Sequence, residues 1–189
     1  MRDVIAELRE LARHDESEFT PGAKGYRAID EMAVELEVAE LIHSIVRSER
    51  PGVVVESGAG RGYSTLAIAG ALERNQHGYL WSYEDDPEYV EVARNRVGDM
   101  SHVSVLCGDS RDHGDDASMV FLDSGPEKRL AEIKYWLFRP VTLLVHDAWR
   151  YEEALAKMGG QMFGNPRGLW LRLRDWSTLY GPMERHTNG

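Results

Sequence analysis

The chain has 189 residues, of which 42% are hydrophobic and 29% charged, as is usual for one soluble globular domain. Its net charge of −10 argues against a nucleic-acid-binding surface. The sequence has no apolar run long enough to span a membrane, no signal-peptide pattern and a single cysteine, Cys107. We therefore predict a cytoplasmic protein with no membrane or nucleic-acid partner, in which Cys107 lies buried in a strand.

The first 50 residues predict two helices joined by a loop. Apolar side chains recur at helical spacing in residues 1–14 and again in residues 28–48. Residues 15–27 contain turn-forming residues without a clear period, which predicts a loop in which Phe19 and Tyr26 pack against the domain. Pro51 and Gly52 then lead into the first strand.

A glycine-rich turn follows that strand. Residues 53–55 are three valines, which predict the end of a buried strand, and residues 64–73 predict a helix. Between them lie three glycines at alternate positions: Gly58, Gly60 and Gly62. Such a turn lets a ligand approach the backbone closely, and the N–H groups of the helix favour an anion. Tyr63 stands where a dinucleotide fingerprint needs a small residue, which disfavours a nicotinamide dehydrogenase.

The rest of the chain alternates between strand and helix patterns. The predicted strands are 79–83, 102–107, 118–122 and 141–146, followed by a hairpin of 161–163 and 168–174. The predicted helices are 86–97, 126–138 and 151–158. This order predicts an α/β fold with a doubly wound, mostly parallel seven-stranded sheet and one antiparallel strand at its edge. We predict a single domain over 1–189, with a helical cap (1–50), a sheet core (51–175) and a tail (176–189).

The string from Glu56 to Thr65, Glu-Ser-Gly-Ala-Gly-Arg-Gly-Tyr-Ser-Thr, resembles the first motif of class I S-adenosylmethionine (SAM)-dependent methyltransferases. Its Gly-Tyr-Ser-Thr end and residues 83–89 are similar to the catechol-type O-methyltransferases of small molecules. The resemblance covers about residues 28–175. It implies a Rossmann-like sheet, SAM as the cofactor and methyl transfer to a hydroxyl of a small molecule. N-terminal helices that cover the cofactor or pair two subunits are usual in this group, so a homodimer is compatible with it.

The resemblance also implies which residues bind SAM. A carboxylate directly after the second strand, Glu84, can accept hydrogen bonds from both ribose hydroxyls. Ser64 is expected at the methionine carboxylate, and Glu56 at the methionine amino group. Asp109 and Ser110, after the third strand, are expected at the adenine. The full predicted set is Glu56, Gly58, Gly60, Tyr63, Ser64, Glu84, Asp85, Asp109, Ser110 and Asp123.

Two aspartates, Asp123 and Asp147, follow the fourth and fifth predicted strands. In the resembling family these positions hold a divalent metal together with an Asn directly after the second Asp, where this chain has Ala148. The pair could bind Mg²⁺ with retained waters or could position the substrate instead, and both interpretations stay open.

Methylation of a hydroxyl also needs a general base or a metal. The candidate catalytic residues are His146, Asp147 and Asp123, whereas Lys128 is expected on a helix surface. Trp149 and Arg150 follow Asp147, where the substrate would approach.

Two further functions stay open at this point. The Gly-Tyr-Ser-Thr and His-Asp segments are also similar to iron-dependent hydroxylases of the cephalosporin hydroxylase type. A SAM- or nucleoside-binding protein without catalysis is compatible with Ala148. No pattern in the sequence identifies the methyl acceptor, the general base or the oligomeric state.

Overall fold

The computed structural model describes residues 2–12, 27, 29–30, 33–164 and 167–174. Its helices, in chain order, are α1 (Val4–Ala12), α2 (Leu36–Glu49), α3 (Tyr63–Asn75), α4 (Pro87–Val97), α5 (Pro126–Leu137) and α6 (Glu152–Leu155). Its strands are β1 (Val53–Ser57), β2 (Tyr79–Glu84), β3 (Val103–Cys107), β4 (Met119–Leu122), β5 (Thr142–His146), β6 (Gln161–Phe163) and β7 (Leu169–Arg172). Phe19, Tyr26 and the predicted tail lie outside the described residues.

The strands form one sheet in the order β3-β2-β1-β4-β5-β7-β6. The first five in that order pair in parallel, whereas β7 runs antiparallel to both β5 and β6. The doubly wound, mostly parallel seven-stranded sheet is thus confirmed. The predicted place of the antiparallel strand was wrong, because β7 inserts beside β5 and leaves β6 at the edge.

Alternate residues of the strands face two separate hydrophobic layers. Val54, Phe121 and Leu144 belong to the layer that includes α1, α2 and α3. Val55, Val120 and Val145 belong to the layer that includes α5. Because β2, β1, β4 and β5 pair in parallel, their carboxyl ends lie together at one edge of the sheet, between the two helical layers.

Three local predictions have definite outcomes. The capped start of α4 is confirmed, since the Asp86 side chain accepts from the Glu88 N–H at 2.8 Å and Pro87 follows it. The second helix begins at Leu36, not residue 28, and Leu36 N–H instead donates to the Arg27 carbonyl at 2.7 Å. Cys107 is exposed, not buried, because it ends β3 at the open edge of the sheet.

Among the described residues, no helix is both long and apolar enough to cross a bilayer.

Candidate cofactor and catalytic site

The glycine turn packs directly on the end of β4. Gly58 has a φ of +87°, and a Cβ placed on it would lie 2.4 Å from the Asp123 carbonyl oxygen. The Gly58 and Ala59 N–H groups donate to the Tyr83 carbonyl at 2.8 and 3.2 Å. Only glycine fits at position 58, so the turn is held in a shape that opens the first turn of α3 toward the sheet edge.

Glu84 joins this turn to the end of β2. One of its carboxylate oxygens accepts from the Gly60 N–H at 2.8 Å, and the other accepts from the N–H groups of Asp85 and Asp86 at 2.8 and 3.1 Å. The side chain lines a pocket of about 230 Å³. The pocket is formed by Gly58, Gly60, Tyr83, Glu84, Asp85, Asp86, Tyr89, Asp123, Ser124, Gly125 and Lys128. The oxygen that accepts from Gly60 can accept a second hydrogen bond, so Glu84 can still bind a hydroxyl in the pocket.

Lys128 lies in this pocket and not on an open helix surface, contrary to the prediction. Its Nζ donates to Asp85 at 2.7 Å and lies 3.7 Å from an Asp109 oxygen. Burial lowers the pKa of Lys128, but the hydrogen bond to Asp85 and the charges of Glu132 and Asp109 outweigh it and raise the pKa overall. Lys128 therefore carries a positive charge and connects two residues of the predicted SAM set.

Glu56 lies fully buried beneath α3. Its Oε2 accepts from Thr65 at 2.6 Å and from Ser82 at 2.5 Å. Burial raises the pKa of the Glu56 carboxyl to about 7, in spite of these hydrogen bonds. Within the described part of the chain, its Oε1 has no hydrogen-bond partner. That oxygen is therefore an unused buried acceptor, and Ser64 also acts to lower the Glu56 pKa.

The predicted adenine residues separate into two environments. Asp109 pairs with Arg111 at 2.7 Å, and that pairing lowers the pKa of Asp109 to about 2. Ser110 is fully buried, and its hydroxyl donates to Glu132 at 2.9 Å. The Ser110 side chain therefore faces the interior and not the pocket, contrary to the expected contact with adenine.

Glu132 is a buried carboxyl group of α5 that the sequence analysis did not single out. It accepts hydrogen bonds from the hydroxyls of Ser57, Ser110 and Ser124 at 2.5, 2.9 and 2.5 Å. These serines come directly before or after Gly58, Asp109 and Asp123, respectively. Glu132 thus fixes the ends of β1, β3 and β4 relative to one another from below the pocket.

Replacement of Glu132 by alanine should be strongly destabilising. Three buried hydroxyls lose their acceptor at once, so we expect the free energy of unfolding to fall by about 3 kcal/mol in urea denaturation. Glu127 is an exposed residue of the same helix, and Glu127→Ala should change that free energy by less than about 0.5 kcal/mol. Equal effects of the two substitutions would contradict a structural role for the Glu132 hydrogen bonds.

His146 is fully buried between two carboxylates. Its Nδ1 lies 2.9 Å from Asp123, and its Nε2 lies 2.9 Å from Glu35, which precedes α2. Burial lowers the pKa of His146, but Asp123 and Glu35 outweigh it and raise the pKa to about 9. An imidazolium that donates from both nitrogens can neither accept a proton nor ligate a metal. This arrangement disfavours His146 as the general base, a role that stays a prediction.

Two arginines complete the surroundings of the predicted aspartates. Arg129 of α5 is buried and donates to Asp123 at 3.0 Å and to Asp147 at 3.1 Å. Arg167 donates to the other Asp147 oxygen at 2.8 Å and to the Ala33 carbonyl at 2.8 Å. Despite partial burial, the bond from Arg167 and the charge of His146 lower the pKa of Asp147.

The structure brings Asp123 and Asp147 together as predicted. Asp123, His146 and Asp147 each offer a ligand atom, and these atoms lie within 4.8 Å of one another, so the group could hold a metal ion by spacing alone. Its donor set fits a metal poorly, because Arg129 and Arg167 already donate to these carboxylates and both His146 nitrogens are engaged. Ala148, fully buried, has no side-chain oxygen to add.

The remaining predicted residues lie at the rim of the site. Tyr63 begins α3, and the Arg96 guanidinium lies 3.7 Å above its ring. Tyr63 and Ser64 line a small cleft with Ala33, Val34 and Asp123. Trp149 is 42% exposed and Arg150 is exposed, so solvent reaches both side chains.

Known structures share this architecture. The SAH-bound methyltransferase PaMTH1 of Podospora anserina superposes with a TM-score of 0.67 at 14% identity, over 93% of this chain and 89% of its own. The O-methyltransferase TomG of Streptomyces achromogenes, in complex with SAM, gives 0.64 at 18% identity over 92% and 90%. An O-methyltransferase of Bacillus cereus in complex with SAH gives 0.64 at 14% identity over 93% and 92%.

The chain has the class I methyltransferase fold. No protein-family model matches the chain. Among curated proteins, mouse catechol O-methyltransferase is 28% identical over 163 residues, which are 72% of this chain. The chain spans about three fifths (61%) of the length of that relative. This similarity confirms the resemblance to the catechol-type group that the glycine turn and the Glu84 segment predicted.

Proposed function

We propose that this chain is a SAM-dependent methyltransferase that transfers a methyl group to a hydroxyl of a small molecule. The observation that carries the proposal is the geometry of Glu84. Its carboxylate stands at the end of β2, bonded to the Gly60 N–H, and lines the pocket beside the glycine turn. This is where a doubly wound fold binds the ribose of a nucleoside. Similarity to catechol O-methyltransferase supports the choice of SAM over other nucleosides.

The residues present fit the remaining parts of SAM. The exposed N–H groups at the start of α3 favour the methionine carboxylate. The unused Oε1 of Glu56 offers an acceptor for the methionine ammonium. Bound SAM would supply a methyl group on a positively charged sulfur, which an acceptor oxygen can displace. The protein then has to align that oxygen and exclude water.

The candidate bases are poorly suited to remove the proton from the acceptor hydroxyl. His146 is buried between two carboxylates that raise its pKa to about 9, and the Lys128 ammonium donates to Asp85. Asp123 and Asp147 both accept from Arg129. Within the described residues, these candidates are therefore all engaged in ion pairs. We infer that the acceptor hydroxyl contributes its own acidity, as a phenol does better than an aliphatic alcohol.

Calorimetric titration with SAM and with S-adenosylhomocysteine tests the cofactor directly. We expect micromolar binding of both in chelator-treated buffer. Mass-spectrometric detection of methylated product from matched panels of phenols and aliphatic alcohols then tests the reaction, and phenols should be methylated faster. Absence of SAM binding would contradict the proposal, and binding without turnover of any panel member would favour a non-catalytic SAM-binding protein. No comparison favours the iron-dependent hydroxylase.

A further inference from the structure

Arg129 occupies the space between the two aspartates at the edge of the sheet. Its Nη2 donates to Asp123 and its Nη1 to Asp147, at 3.0 and 3.1 Å, so one guanidinium contacts both carboxylates. It also donates to the main-chain carbonyls of His146, at 2.7 Å, and Ser124. The side chain is only 4% exposed, and these four bonds give it a fixed position. Arg129 is thus a built-in part of the site and not a mobile surface cation.

The two aspartates already have cationic partners without any added ion. Arg129 contacts both carboxylates, at 3.0 Å from Asp123 and 3.1 Å from Asp147. Arg167 contacts Asp147 from the other side at 2.8 Å. A divalent cation added to this cluster would meet a like charge in direct contact with each of its carboxylate ligands. Repulsion of this kind between closely spaced, partly buried charges is large.

The geometry of the cluster also disfavours a metal. Mg²⁺ needs oxygen ligands at about 2.0–2.1 Å in an octahedral arrangement. Here the Asp123 Oδ1 accepts from both Arg129 and His146, and both Asp147 oxygens accept from arginines. The residue after Asp147 is Ala148, which is buried and offers no ligand. A metal could bind only after Arg129 left its four hydrogen bonds.

We propose that Arg129 takes the place of the divalent cation in this chain and holds Asp123 and Asp147 in position at the acceptor side of the pocket. Arg129 is a positioning residue, because it acts through the two aspartates. The reaction assigned above should then proceed without metal. The catalytic role of Arg129 rests on the proposed function. Its contact with the two aspartates in place of a metal does not.

Direct measurement of metal binding tests the claim apart from activity. Mn²⁺ is titrated into the metal-free protein and followed by electron paramagnetic resonance, for the wild type and for Arg129→Ala. We expect no site in the wild type at millimolar Mn²⁺. In Arg129→Ala we expect affinity to rise at least about 100-fold, since the contacting like charge is removed. Arg74→Ala, which breaks a remote surface pair with Asp3, should leave Mn²⁺ affinity at the wild-type level.

Two outcomes would overturn the proposal. One is a wild-type Mn²⁺ site that Asp123→Asn abolishes, a result that needs no folded Arg129 variant. The other is a folded Arg129→Ala protein, verified by circular dichroism, that binds no more Mn²⁺ than the wild type. SAM titration of the same preparations keeps the two proposals distinct. If the wild type does not bind SAM, the methyltransferase function is contradicted. The Mn²⁺ titration still decides whether Arg129 takes the place of a metal.

Discussion

Glu84→Ala should weaken SAM binding at least about 100-fold in calorimetric titration. The substitution removes the carboxylate proposed to accept from the ribose, and a hydrogen bond to a charged group contributes about 1.5–3 kcal/mol. It also leaves the Gly60, Asp85 and Asp86 N–H groups without their present acceptor, which loosens the glycine turn itself. Both effects act in the same direction, so this is the largest binding effect that we expect from a single substitution.

Two companion variants sharpen this experiment. Glu84→Gln keeps one carbonyl oxygen and should lose roughly tenfold in affinity. Glu88 is an exposed residue of α4 outside the pocket, and Glu88→Ala removes the same charge nearby with no expected effect. SAM affinity of Glu84→Ala within threefold of the wild type would contradict a contact between Glu84 and the ribose.

His146→Ala should reduce the free energy of unfolding by about 3–5 kcal/mol. The substitution leaves Glu35 and Asp123 facing each other across a buried cavity without the cation that both contact. Removal of one member of a buried ion pair has this size of effect, because the carboxylates that remain are desolvated and have lost a charged partner. Urea denaturation measures it, with His77→Ala, at an exposed position, as the matched control. Similar losses in both variants would contradict the buried ion-pair arrangement.

The same contact predicts a pH dependence with a definite sign. The pKa of His146 is about 9 in the folded protein and about 6.5 in the unfolded chain. The stabilisation is therefore complete below about pH 6.5, and it is lost as pH rises through 9. The pKa of Glu56 is raised from 4.5 to about 7 in the folded protein, so the protein also loses stability from this group as pH rises from 4.5 to 7. Wild-type stability minus His146→Gln stability, measured from pH 6 to 10, should fall with pH if His146 is the source.

The strand and helix order was predictable because each element carries its own pattern. The valines of β1, the glycine turn and the Asp86-Pro87 start of α4 are local signals, and they were sufficient to give the sheet and the position of Glu84. The start of α2 was not predictable in this way. Residues 28–35 keep apolar spacing, but the described part of this segment is not helical, and Glu35 within it contacts His146.

The acceptor side of the pocket was only partly predictable. Topology placed Asp123 and Asp147 side by side, since both follow neighbouring parallel strands. Their partners Arg129 and Arg167 come from a helix face and from a turn, and nothing local in the sequence distinguishes them from surface arginines. His146 was an equally good candidate base in the sequence, because its pKa depends on contacts with Asp123 and with Glu35, and Glu35 lies 111 positions earlier in the chain. The predicted burial of Cys107 was wrong because burial depends on the place of β3 in the sheet. That strand is apolar but lies at the edge.

The long separation between Glu35 and His146 has a consequence for how the chain folds. The bond can form only after β5 has joined the sheet, because His146 takes its position from that strand. Closing a loop of this length costs entropy that local contacts must first offset. The segment before α2 should therefore dock late, after the transition state. Substitutions of Glu35 should then accelerate unfolding and leave the refolding rate nearly unchanged.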